Sequence, residues 1–522
     1  MSPRAPGERQ ALAALAAVSA GLLAIRIVAA THVGFGDSEA LYASYALHPQ
    51  PAYLDHPGLV GVVARWIGRG SCPSPLAAHV ATSLLATAFP WLAALGCRAA
   101  GATWRRSLVA ALVVAMTPEI AIGLFALTPD LVLAFAWTAT LACAAASLRA
   151  DPASGRATLG FAAAGLLAGV SAASKVTGLA LFAVLPIAYV LPPARAHART
   201  AAPWLGLAAG MVIVAPVLAF EARTGWPMLR HRLIDTQPSA GVSLRNGAAL
   251  MGGQLAYLSP LIAVLAGIAA REAWRGRRDA VGGLLLASGI VPLAGLVPLC
   301  LWSRVAEPHW LAPALLGLVP AAARARSLPR PRWIGTALAL GAAMVAAAYA
   351  WALLPGVLRL APASYDARLD LSNELYGWPE IANAARAEAR SPGAARGDIV
   401  VVGPHWVICA QLEAALRGSI PVGCDTPVRD DFDTWWPRAR WRQAELLVWV
   451  TDLRFGPAPS MPDYAPVHSR RVDVIRDGRT VRSFTLTLLA RQSVALTRPA
   501  VPPSDPRPAG ALDRRRALGW PS

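Results

Sequence analysis

Apolar stretches of about 18 residues or more recur along this chain, each long enough to cross a hydrocarbon core about 30 Å thick. Lipid offers no hydrogen bonds to peptide groups, so such stretches must be helices that satisfy their own backbones. Hydrophobic residues make up 55% of the chain and charged residues 15%, against about a quarter charged in an average soluble domain. A large soluble helical protein has no use for so many apolar runs. The pattern predicts an all-α polytopic membrane protein of about eleven spans. They fall near 10–30, 76–97, 107–125, 131–148, 157–173, 176–192, 201–220, 248–270, 280–301, 310–323 and 333–355.

A formal charge of +18 would suggest nucleic acid in a soluble protein. Here arginines gather in alternate short connections, which is the positive-inside signature and not a nucleic-acid stripe. Arg4 and Arg9 precede the first run, and Arg98, Arg105 and Arg106 follow the second. Arg149 and Arg156, Arg195 and Arg199, Arg271 to Arg278, and Arg324 to Arg332 continue the alternation. All six groups share one side if the N-terminus is cytoplasmic. The connections 31–75, 126–130, 221–247 and 302–309, and everything after about 356, then face the exterior. The first apolar run is long and lacks a convincing cleavage site, so it reads as a span and not as a cleaved signal.

Three units follow: a transmembrane part over 1–356, an extracytoplasmic α/β domain over 357–490 and a basic, Pro-rich, disordered tail over 491–522. In the second, "DIVVVG" (398–403) and "ELLVWV" read as buried strands and "WVICAQLEAALRG" as an amphipathic helix. "RRVDVIRDGRTVRSFTLTLL" reads as a hairpin turning at Asp477-Gly478. Six cysteines do not make a disulfide framework. Cys409 and Cys424 lie in the exported domain, either paired or as two free buried thiols.

Polar residues able to do chemistry collect in the outer connections. "GFGDSEALYASYALHPQPAYLDHPGL" (34–59) places Asp37, Glu39, Asp55 and His56 just beyond the first span. The connection 31–75 is too long for a turn and is expected to hold helices on the interface. A carboxylate at that level can take a proton from an acceptor hydroxyl while a donor's lipid tail stays in the bilayer. A solvated loop can carry the same residues without function. Asp130, in "FALTPDLVLAF", is a second acid and equally part of a helix start, since Thr128-Pro129 opens the following run. Lys175 is the only lysine in the chain and sits between two apolar runs, where an ammonium needs an anion. Arg230 and Arg232 in "RHR", and His309 in "SRVAEPHW", add basic groups on the same side, as phosphate ligands or as interfacial anchors. There is no HExxH, CxxC, P-loop or dinucleotide glycine pattern, so neither a metal nor a cofactor is expected.

These residues resemble the bacterial GT-C glycosyltransferases related to protein O-mannosyltransferases, lipid A aminoarabinose transferases and rhizobial galacturonosyltransferases. "GDSEALY" is similar to that group's acidic opening of the first outer loop, and "YLDHPGL" to its Y-D-H-P-P-L motif. "LTPD" matches the second acidic motif and "SKVT" the S-K-Y-T motif. "APVLAFEARTGWPM", "GQLAYLSPL", "EPHWLAPA" and "FDTWW" extend the likeness over roughly 31–490. The resemblance implies the GT-C fold and inverting transfer of a sugar from a polyprenyl-phosphate donor to a lipid A, glycan or protein acceptor. The enzyme would sit in the inner membrane, with membrane lipids and no nucleic acid as partners. It implies catalytic roles for Asp37 or Glu39 and for Asp130, and donor-phosphate roles for Asp55, His56, Lys175, Arg230, Arg232 and His309. Ser38 splits the acidic pair, leaving open which acid is the base; Gly58 replaces the second proline of the D-H motif. A transporter or flippase, and a non-catalytic envelope assembly protein, are the alternatives from other classes.

Overall fold

The computed structural model describes residues 6–237, 239–326, 329–354, 365–367, 369–390 and 398–492. Among them, seven helices are long and apolar enough to cross a membrane: Gly7–Ala30, Pro75–Ala99, Pro129–Leu148, Gly155–Ser174, Ala202–Thr224, Ala280–Trp302 and Pro331–Leu353. Two bent pairs, Val176–Val190 with Pro192–Ala198 and Leu244–Leu258 with Pro260–Gly276, raise the number to nine. The chain is a multi-pass membrane protein.

The remaining apolar runs are interrupted, and proline is the usual cause. The stretch 107–125 divides into Trp104–Ala115 and Pro118–Gly123, because Pro118 cannot donate to the preceding turn. The bends of 80° and 99° fall at Pro192 and at Ser259-Pro260, where Ser259 takes φ +72°. The run at 310–323 is a thirteen-residue helix, Ala312–Arg324, entered through the 3-10 turn Pro308–Leu311.

Helix starts follow local chemistry. Ser74, Thr103, Ser154 and Asp279 each accept a backbone N–H of the first turn. Helices Gly155–Ser174 and Ala202–Thr224 touch backbone to backbone at Gly165 and Gly169 against Gly206 and Gly210. A Cβ on Gly165 would stand 1.9 Å from the Gly206 carbonyl oxygen. Small residues at such spacing give membrane helices the close packing that hydrophobicity cannot drive inside lipid.

The connection 31–75 carries two short helices, Asp37–Ser44 and Leu59–Ile67, as its length requires. The α/β domain is a mixed sheet of order β2-β1-β3-β5-β4. β1 (Ile399–Gly403) pairs in parallel with β2 (Val422–Cys424) and β3 (Leu446–Asp452), and β4 (Tyr464–Arg476) and β5 (Arg479–Arg491) form the hairpin beside β3. Asp477 and Gly478, both at positive φ, make its turn. Cys409 and Cys424 are joined. One sheet face packs on helices Trp378–Ala389 and Trp406–Leu416, and the same core continues into Leu41, Tyr45, Tyr53 and Val60 of the connection 31–75. The domain therefore rests directly on the loop that holds the acidic cluster. The tail expected at 491–522 lies outside the described residues from 493 onward.

Candidate active site

Helix Gly155–Ser174 ends at Lys175, which leaves the helical region (φ −147°, ψ 141°) before the 3-10 turn Val176–Ala180. Gly178 lets that turn fold back, since a Cβ there would meet the Ser171 backbone at 2.3 Å. The break swings Lys175 toward the start of the neighbouring span, where Ser174 Oγ donates to the Pro129 carbonyl (2.6 Å). Lys175 Nζ then donates to both oxygens of Asp130, at 2.7 and 2.8 Å. His309 Nε2 lies 3.2 Å from the same ammonium, and His309 Nδ1 lies 3.0 Å from Glu307. An ammonium only donates, so Nε2 is the acceptor and Nδ1–H donates to Glu307. That bond, rather than burial, holds the Glu307 carboxyl below the usual range.

A second ion pair lies alongside. Arg232 Nη2 is 2.9 Å from Asp55 Oδ1, with His231 at 3.7 Å and the Trp310 ring 5.8 Å from the guanidinium. His56 is buried, and its Nε2 is 3.1 Å from the Tyr42 hydroxyl. Burial, reinforced by Arg232, Lys175 and His309, pushes the His56 imidazole well below its ordinary pKa, so it is neutral near pH 7.

Asp55, His56, Lys175, Arg232 and Trp310 line one end of a cavity of about 370 Å³. Val291, Leu296 and Leu299 of the span Ala280–Trp302, with Met228, Leu229 and Leu233, form its apolar walls. The charged end sits at the ends of spans and in the connections, and the greasy walls descend along a span. Such a cavity suits an amphipathic ligand with an anionic head.

The two acids of "GDSE" have different surroundings. Glu39 is buried and fully occupied: it accepts from Leu127 N–H (2.7 Å) and Gly36 N–H (3.3 Å), and His79 Nε2 lies 3.1 Å away. It ties the loop to two spans. Asp37 is half-buried, opens its helix, accepts from Gln411 Nε2 (3.2 Å) and hydrogen-bonds Glu374. Burial and then Glu374 push the Asp37 carboxyl well above the usual range, against Gln411 and Arg454.

The structure thus brings Asp55, His56, Lys175 and Arg232 to one cavity end, with Asp130 and His309 held against Lys175. Asp37 is held at the seam with the α/β domain, Glu39 beneath it, and Arg230 is exposed and does not line the cavity. Sequence reasoning missed Glu374, Gln411 and His79. They carry no catalytic motif and reach the acids of the loop only through tertiary packing. It also missed Arg26, a buried arginine within the first span, whose guanidinium donates to the Ile120 and Ala121 carbonyls and closes the short helix Pro118–Gly123. A lone charge inside an apolar run was the available signal.

Membrane spans, two short helices in the connection 31–75 and a mixed-sheet domain packed on that connection make up a polytopic membrane fold. The structure is similar to that of ArnT from Cupriavidus metallidurans bound to undecaprenyl phosphate, with a TM-score of 0.57 at 16% identity, over 90% of this chain and 97% of that one. The apo ArnT structure matches to the same extent. The oligosaccharyltransferase from Archaeoglobus fulgidus in its apo form aligns at a TM-score of 0.48 and 12% identity, over 85% of this chain and 69% of that one. No protein-family profile and no curated protein sequence matches the chain.

Proposed function

We propose that this protein is an inverting glycosyltransferase that moves a sugar from a polyprenyl-phosphate carrier to an envelope acceptor at the outer face of the cytoplasmic membrane. The observation that carries the reading is the cavity with Lys175 and Arg232 at one end and apolar side chains along the rest. A lipid phosphate has that shape and polarity, and ArnT, which shares the fold, was captured with undecaprenyl phosphate.

In this reading Lys175, Arg232 and neutral His56 receive the phosphate, with Asp130 and Asp55 holding the two cations in place. His309 and Glu307 orient Lys175 from behind. The lipid phosphate is a competent leaving group once cations neutralise it. The protein must then supply a base for the acceptor hydroxyl, worth about 10²–10⁴ in rate. Asp37 is assigned that role: Glu39 has its oxygens engaged, whereas Asp37 is half-buried and its raised proton affinity suits a base near neutral pH. Comparing envelope glycolipids and glycoproteins by mass spectrometry, with and without the gene, tests the function. One sugar-bearing species should vanish, and an unchanged inventory contradicts the proposal.

The helix broken at Lys175 favours one rival, since transporters place ions at such breaks. A transporter would carry the lipid-linked sugar across intact, and proteoliposome translocation without sugar transfer would select it.

A further inference from the structure

The 3-10 turn Leu371–Leu375 carries Glu374 to the first outer loop, and it is built to hold that position. Asp370 accepts from the Ser372 N–H (3.0 Å), and Arg476 of β4 donates to Ser372 Oγ (2.9 Å) and Asn373 Oδ1 (2.6 Å). The Leu375 carbonyl accepts from Gly34 N–H (2.8 Å), three residues before Asp37. Trp378 Nε1 donates to the Glu374 carbonyl (2.8 Å). The turn is thus stitched both to the sheet domain and to the loop.

At its end, Glu374 hydrogen-bonds Asp37 on one side and receives Arg454 Nη1 at 2.5 Å on the other. Arg454 is itself held by Asp452, at 2.7 Å, which also binds Arg482. The groups facing Asp37 are therefore Glu374 from the turn, Arg454 from the segment after β3 and Gln411 from helix Trp406–Leu416. Two carboxylates in contact repel each other, so a proton arriving on Asp37 is held between them while Arg454 stays paired with Glu374.

We propose that Glu374 is a positioning residue for the base: its arginine-held carboxylate accepts a hydrogen bond from Asp37 once Asp37 has taken the acceptor's proton. The inference rests on the reading of Asp37 as base. In the transfer, the acceptor oxygen forms its bond to the anomeric carbon and the carbon–oxygen bond to the lipid phosphate breaks, leaving its electron pair on the phosphate. The acceptor proton passes to Asp37 and is stabilised there by Glu374 before leaving to water. The base of a membrane enzyme would then be tuned by its exported domain.

The test reads the protonation of Asp37 directly. Full-length protein in lipid nanodiscs is labelled with a carbodiimide, which attacks protonated carboxyls, between pH 4 and 9. Peptide mass spectrometry follows Asp37 against exposed Asp151 as internal reference. Removing the neighbouring charge in Glu374→Gln should lower the labelling midpoint of Asp37 by about one pH unit or more. Arg454→Gln should raise it. An unchanged midpoint in Glu374→Gln overturns the proposal; if that variant does not fold, an unchanged midpoint in Arg454→Gln overturns it equally. Retained sugar transfer by Asp37→Asn would remove Asp37 as base without moving either midpoint, so the two failures are distinguishable.

Discussion

Lys175 Nζ donates to both oxygens of Asp130, so the single lysine of the chain and the acid of its "TPD" motif form one bidentate pair beside the cavity. The anion that a lysine between apolar runs requires is supplied within the protein. Donor phosphate would add to this pair and not fill an empty cationic site.

That pairing changes how Lys175 must be tested. Lys175→Met leaves the half-buried Asp130 without its cation, which by itself lowers stability. The double variant Lys175→Met with Asp130→Asn removes both charges and should fold well. It should still bind undecaprenyl phosphate about tenfold or more weaker than wild type, for want of a charge-assisted hydrogen bond. Lys175→Arg should recover only part, because a planar fork does not replace a compact point charge. Titration of purified protein reads the outcome, and wild-type affinity in the double variant would remove Lys175 from the site.

Asp37 and Glu39 should separate into chemistry and structure. Glu39→Gln places an amide against donors, Leu127 N–H and His79 among them, and one of these loses its acceptor. We expect a stability loss of about 1–3 kcal/mol, seen as a lower unfolding midpoint in detergent. Asp37→Asn, at a half-buried helix start, should unfold near the wild-type midpoint while losing transfer. A stable, inactive Glu39→Gln beside an active Asp37→Asn would reverse the assignment.

Much of this was legible because membrane helices and short motifs announce themselves locally. The apolar runs located the spans, and "LTPD" and "SKVT" located both members of the central ion pair. The strands at 399–403 and 446–452 and the hairpin at Asp477-Gly478 follow from β-branched runs and turn chemistry. What escaped was tertiary. Hydropathy alone does not show that Pro118, Pro192 and Pro260 bend or divide apolar runs. Nor does the sequence show that Gln411 and Glu374, more than 300 residues from Asp37, meet it across a domain seam.

That seam should depend on pH. Asp431 accepts from Leu54 N–H and from the Tyr45 hydroxyl, both at 3.0 Å, where the domain meets the loop. Burial pushes its carboxyl up to about 7, and burial with Asp433 and Asp431 nearby pushes Asp430 up to about 8. A carboxyl raised on folding binds its proton more tightly in the folded state. Its stabilisation is therefore present at acid pH and is lost as pH rises through the folded value, by at most about 1.4 kcal/mol per pH unit and group. Hydrogen exchange over 44–54 should quicken between pH 5 and 8, and Asp431→Asn should flatten that slope. A steeper slope in Asp431→Asn would contradict the account.

The orientation proposed from the arginine-rich connections makes its own prediction. Reporter fusions after residues 200 and 278 should report cytoplasm, and fusions after 240 and 400 the exterior. The opposite pattern would put the cavity mouth on the wrong side for the proposed reaction.

The central claim is sugar transfer from a lipid phosphate, and reconstitution measures it most directly. Purified protein in liposomes is given a polyprenyl phosphate carrying a radiolabelled sugar, together with envelope lipids and exported proteins as acceptors. The account predicts that label leaves the carrier for an acceptor with release of free polyprenyl phosphate, and that Asp37→Asn abolishes this while still binding the carrier. Label that stays on the carrier with the wild-type protein, or crosses the bilayer still attached to it, would contradict the account.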